Sequence, residues 1–141
     1  ATGSEKAWNV LNKALDCLHN FYIVQQHAMD EDKDGTDTAI AHVCALLYQE
    51  TGDQRCMDLV KKAFDTFETI LGGNYYNAGL EGKPFYRMQR TRWECLHAIQ
   101  TIKAMYDITG EEKYKISFSN IWDGILKNDR HNTGGFSSGV L

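Results

Sequence analysis

Two stretches of this chain repeat each other. Residues 47–67 read LYQETGDQRCMDLVKKAFDTF, and residues 105–125 read MYDITGEEKYKISFSNIWDGI. Tyr48 pairs with Tyr106, Thr51-Gly52-Asp53 with Thr109-Gly110-Glu111, and Asp65 with Asp123, at an offset of 58 residues. Each copy has the chemistry of a tight helical turn. The glycine can adopt the left-handed conformation that closes a helix. The acidic residue directly after it starts the next helix near the positive end of its dipole. A repeat of this length prescribes stacked α-hairpins, in a solenoid or in a closed toroid.

Apolar periodicity supplies the helices. Spacings of three and four predict helices over residues 5–27, 38–51, 53–71, 91–109 and 111–127. There is almost no strand signal. The single proline, Pro84, falls between helices and interrupts none. The 141 residues suit one domain, residues 1–141, of all-α class built from about five helices as antiparallel hairpins. The first helix reads as the second half of an earlier hairpin. An open array leaves apolar faces at its ends, and these ends lack polar caps, so a homo-oligomer, a dimer, is expected.

Composition excludes several partners. Net charge is -4, which argues against nucleic acid, whose backbone demands a concentrated basic surface. No apolar run approaches the roughly 20 residues needed to cross a bilayer, so no membrane partner is expected. No leader is visible at the start, although the chain begins with Ala rather than Met. Cys17, Cys44, Cys56 and Cys95 form no C-x-x-C pair, and at least three of them sit among apolar helical residues. They read as buried, reduced thiols, which points to a soluble protein of the cytoplasm.

Three loops carry the candidate chemistry. The first, DEDKDGTD at 30–37, places Asp30, Asp32, Asp34 and Gly35 at calcium-loop spacing. The aliphatic position is Asp37 and the bidentate glutamate position is Ala41, so the stretch is either a weak calcium site or a solvated acidic turn, with Thr36 or Asp37 capping the next helix. The second, GGNYYNAGLEGKPFYRMQRTR at 72–92, reads as one long loop. Its Tyr75, Tyr76 and Tyr86 lie beside Arg90 and Arg92. Aromatic rings stack on sugar faces and arginines hold hydroxyls, so the loop either faces a carbohydrate or folds back as a lid. The third, HNTGGFSSGVL at 131–141, has Gly134 and Gly135, whose exposed amides can cradle a polar group, with His131 beside them. None of the five histidines forms an H-x-x-x-H or H-E-x-x-H pair. Ser137 and Ser138 lack a local base or nucleophile elbow.

The run W-x-G-I-L-K-N-D-R-H-N-T-G-G-F-S-S-G, from Trp122 to Gly139, resembles a segment of glycoside hydrolase family 127, which includes β-L-arabinofuranosidases. The turns YQETGDQRC and YDITGEEKY fit its helical hairpins, and the resemblance spans about residues 34–139. It implies an (α/α)6 barrel, of which this chain is an incomplete toroid. It also implies that the T-G-G loop enters an active site and ends in Gly-Glu, the glutamate being the general acid/base. A zinc held by Glu and Cys residues follows in that family, one cysteine acting as nucleophile. Here Gly139 matches the glycine and Val140 stands at the glutamate. None of the four cysteines matches the zinc ligands, and no histidine matches the family's sugar-binding histidines.

The expectation is therefore a truncated, catalytically inactive relative or fragment of such a glycosidase. It would have no cofactor and no catalytic residue, and would retain weak carbohydrate binding through Tyr75, Tyr76, Tyr86, Arg90, Arg92, His131, Gly134 and Gly135. The alternatives are a helical-repeat module that binds protein or peptide, and an enzyme of another type using carboxylates such as Glu94 or Asp37.

Overall fold

A computed structural model describes residues 4–29, 36–69, 75–83, 92–129 and 133. Among these every regular element is helical. The helices are α1 (Glu5–His19), α2 (Thr36–Thr51), α3 (Gln54–Thr69), α4 (Tyr75–Leu80), α5 (Arg92–Thr109) and α6 (Glu112–Gly124). Single π-helical turns, Asn20–Val24 and Ile125–Asp129, extend α1 and α6.

The two tight turns match bond for bond. Gly52 and Gly110 sit at φ 68° and 69°. Gly52 N donates to Tyr48 O, and Gly110 N to Tyr106 O, both at 2.8 Å. Thr51 Oγ1 donates to Leu47 O, and Thr109 Oγ1 to Met105 O, both at 2.7 Å. The same hydroxyls accept from Asp53 N and Glu111 N at 3.2 Å. The threonine thus ties the end of one helix to the entry of the next, and glycine supplies the left-handed residue between them. The copies differ at one point. Asp53 Oδ1 accepts from Arg55 N at 3.0 Å and caps α3, whereas Glu111 makes no side-chain cap for α6.

The hairpins α2–α3 and α5–α6 pack side by side. His42, in the second turn of α2, meets His97, in the second turn of α5, so these two helices run parallel. One core cluster joins α1, α2, α3 and α5 around Leu59, Val60 and Ala45. A second joins α5 and α6 through Ile99, Ile102, Ile121 and Ile125. Phe64 and Tyr114 pack against both.

Charge and amide pairing place α1 on α3. Asn12 and Asp16 meet Arg55, and His19, further along α1, meets Asp58, further along α3. The partners advance together, so α1 runs parallel to α3 and antiparallel to α2, the direction of the closing half of a hairpin. Two expectations change. First, the stretch expected as one long loop contains α4, so the described chain has six α-helices rather than about five. α4 exists through its contact with α6. Ser117 Oγ donates to Tyr76 O at 2.7 Å, and Asn120 Nδ2 donates to Gly79 O at 3.0 Å. A β-carbon at Gly79 would lie 2.7 Å from Ser117 O, so only glycine permits this approach. Second, the thiols do not share one fate: Cys44 and Cys56 are buried, but Cys17 is exposed. α1 buries only Leu15 fully, and Cys17 falls on its open side.

Candidate functional site

The tight turns lie at one end of the array. The start of α2, the start of α5 and the last turn at Asp129 lie at the other, because each partner helix runs back from its turn. Arg92 begins α5 at that second end. Tyr76 lies nearer the tight turns, against Tyr114 in the first turn of α6, so the fold does not bring these two expected site residues together. The side chains of Tyr75 and Arg92 lie outside the description, as do those of Asp37 and Glu94. Tyr86, Arg90, His131, Gly134, Gly135 and the calcium-loop candidates Asp30, Asp32 and Asp34 also lie outside the described residues.

Tyr76 is half-buried between the hairpins. Its ring stands 6.0 Å from Phe64 at 80° and 5.3 Å from Tyr114 at 45°. Phe64 and Tyr114 are themselves 6.2 Å apart. These edge-on arrangements match the quadrupole preference of aromatic rings. Tyr76 therefore packs into the seam between the hairpins.

The same trio walls a cleft of about 560 Å³ between the hairpins. Gln54, Lys61, Asp65 and Glu111 give it polar edges, while Tyr48, Met57 and Ile108 give it apolar ones. Flat rings, an amide, an ammonium group and two carboxylates are the groups that hold a polyhydroxylated ring, whose faces are apolar and whose rim is all hydroxyl. Burial holds the Tyr114 phenol above its usual range, so it stays a hydrogen-bond donor at neutral pH. Lys113 Nζ lies 5.0 Å from the centre of the Tyr114 ring. The sequence identified Tyr76 in this cleft but missed Phe64, Tyr114, Gln54, Lys61 and Glu111. The repeat could have pointed to Tyr114, which follows directly on the second turn and has Cys56 as its counterpart in the first copy.

A second groove, about 480 Å³, crosses α2, α5 and α6. The Phe118 and Trp122 rings lie parallel within it, 6.3 Å apart at 6°. At its edge His42 Nδ1 lies 3.0 Å from His97 Nδ1. One ring must donate and the other accept, so the two cannot both be protonated. Burial first, and the His97 charge second, push His42 below its usual value. Residues 55 apart on separate helices leave no local motif, which is why sequence reading took each histidine singly.

The buried thiols meet as well. Cys44 is pushed up to about 12 by burial first and by Cys56 beside it second. Cys56 is also raised, with burial again the largest cause. Both stay protonated at neutral pH and are inert as nucleophiles. Among the described residues no group of three or more His, Cys, Asp or Glu side chains could hold a metal ion. No described helix is long and apolar enough to cross a membrane.

A protein-family model described as the β-L-arabinofuranosidase GH127 catalytic domain matches residues 1–140 of the chain. No solved structure matches it.

Proposed function

Because the chain belongs to the β-L-arabinofuranosidase GH127 catalytic-domain family, we propose that residues 1–141 form a helical-hairpin unit of a glycoside hydrolase that binds a small saccharide of the arabinofuranose class and does not by itself cleave it. The family match over residues 1–140 carries this reading. The cleft between the hairpins supports its binding half, since aromatic faces and polar edges suit a sugar ring.

The resemblance places a carboxylic acid after the T-G-G loop, where Val140 stands, and valine transfers no proton. The zinc of that family needs thiolate and carboxylate ligands. Cys44 and Cys56 do not fit it, because burial keeps both as thiols and, among the described residues, no third ligand joins them. Hydrolysis therefore has neither its acid/base nor its nucleophile among the residues that can be assigned here.

The test has two arms. The purified chain is expected to release no nitrophenol from 4-nitrophenyl β-L-arabinofuranoside, and turnover would overturn the catalytic half. Val140→Glu alone is expected to restore none. Saturation-transfer NMR is expected to show L-arabinose contacts with the wild type that weaken in Tyr76→Ala. Equal signals from both proteins, or none from either, would overturn the binding half.

A further inference from the structure

The 58-residue repeat does not account for the His42–His97 pair. The position equivalent to His42 in the second hairpin is Gln100, and the position equivalent to His97 in the first is Ala39. Hairpin packing therefore needs an imidazole at neither place, and the two rings answer to each other rather than to the repeat. Both belong to the two complete hairpins, α2–α3 and α5–α6. Their Nδ1 atoms converge at 3.0 Å, with ring centres 5.3 Å apart and planes tilted by 55°. Both rings are half-buried, and His42 lines the groove of about 480 Å³.

We propose that His42 and His97 form a two-histidine chelate for a divalent transition-metal ion, with Cu2+ or Ni2+ as the best fit, bound through both Nδ1 atoms. Neutral imidazole is the commonest protein ligand for such ions. Two nitrogens each about 2.0–2.1 Å from one ion stand about 2.9 Å apart at a right angle and about 3.3 Å apart at the tetrahedral angle. The observed 3.0 Å lies at the right-angle end. That is the arrangement of tetragonal Cu2+ and Ni2+ rather than of tetrahedral Zn2+. Neither helix has to move. Each ring turns about its own Cβ–Cγ bond, so that its lone pair points at the ion instead of at the other nitrogen. The ring that donated the hydrogen bond carries its proton on Nε2 instead, so both rings stay neutral and no proton is lost. Among the described residues no third ligating side chain joins the pair, so the remaining positions of the ion fall to water or to ligand oxygens in the groove. Lys103 of that groove is paired with Asp107, so its charge opposes a bound cation little.

Isothermal titration of the full chain with copper(II) chloride, in a buffer that does not bind copper, is the test. One equivalent is expected to bind with a Kd below about 100 µM. His42→Gln and His97→Ala should each weaken binding by more than about 10-fold, the least that losing even an outer-shell partner costs. Both variants should keep the wild-type circular dichroism, because the repeat itself carries glutamine and alanine at the equivalent positions. His19→Gln, on α1 beside Asp58, should bind copper as the wild type does. A second measurement needs no variant: substoichiometric Cu2+ should broaden the ring resonances of His42 and His97 before those of His19 and His27. No saturable binding at about 100 µM copper would overturn the proposal. So would binding that survives either His42→Gln or His97→Ala, or broadening that reaches His19 or His27 first.

Discussion

Gly79→Ala isolates the contact that creates α4. Alanine at a helical position normally stabilises by about 0.5–1 kcal/mol relative to glycine. Here the added methyl would lie 2.7 Å from Ser117 O and 2.8 Å from Ile121 Cδ1. Ser117 O belongs to the α6 backbone, so it cannot swing aside as a side-chain tip can. Moving α4 outward is the available relief. Overpacking of this kind costs about 1–3 kcal/mol. The shift also loosens Ser117 Oγ to Tyr76 O and Asn120 Nδ2 to Gly79 O, each worth about 1 kcal/mol. Set against the helix gain, the net loss is about 2–4 kcal/mol. It is capped at the free energy of docking α4, since beyond that point the segment detaches and the rest of the array stays folded. Thermal melts followed by circular dichroism should show Tm falling by roughly 6–16 °C if α4 melts with the core. Hydrogen exchange should accelerate over residues 75–83 in either case. Melting within about 1 °C of wild type, together with unchanged exchange there, would refute the packing argument.

Other expectations follow from the same geometry. Gly52→Ala and Gly110→Ala should each cost about 1 kcal/mol, and to the same extent. Both glycines have positive φ and nothing within 4 Å of an added β-carbon, so only backbone strain is at stake; unequal urea midpoints would deny that the turns are equivalent. His42 is held below its ordinary value of 6.5, so the unfolded chain binds this proton more readily than the folded one. Its contribution to stability is therefore complete above that pH and is lost as pH falls below it. Tm should drop on going from pH 7.5 to pH 5.5, and less so in His42→Gln; parallel curves would remove the histidine pair as the cause. In timed iodoacetamide labelling with peptide mapping, exposed Cys17 should react well before Cys44 and Cys56, which are buried and held protonated. Comparable rates would contradict their burial.

Much of the architecture is legible in local chemistry. Thr-Gly-acid turns at a fixed offset prescribe two equivalent hairpins, because the left-handed glycine and the threonine hydroxyl act within four residues of each other. Periodic apolar residues prescribe the helices on either side. The family is legible in the run from Trp122 to Gly139, and the family match extends over residues 1–140. Three features were settled only by tertiary structure. α1 takes its seat on α3 from Arg55 and Asp58, some 39 residues away. α4 forms because Gly79 lets it approach Ser117 and Asn120, which a local reading of a glycine-rich stretch cannot foresee. The cleft gathers Phe64, Tyr76 and Tyr114 from three helices, and the His42–His97 pair joins two more. Turn chemistry is short-ranged and is written into consecutive residues. Helix docking and sites depend on partners distant in sequence, and only packing brings those together.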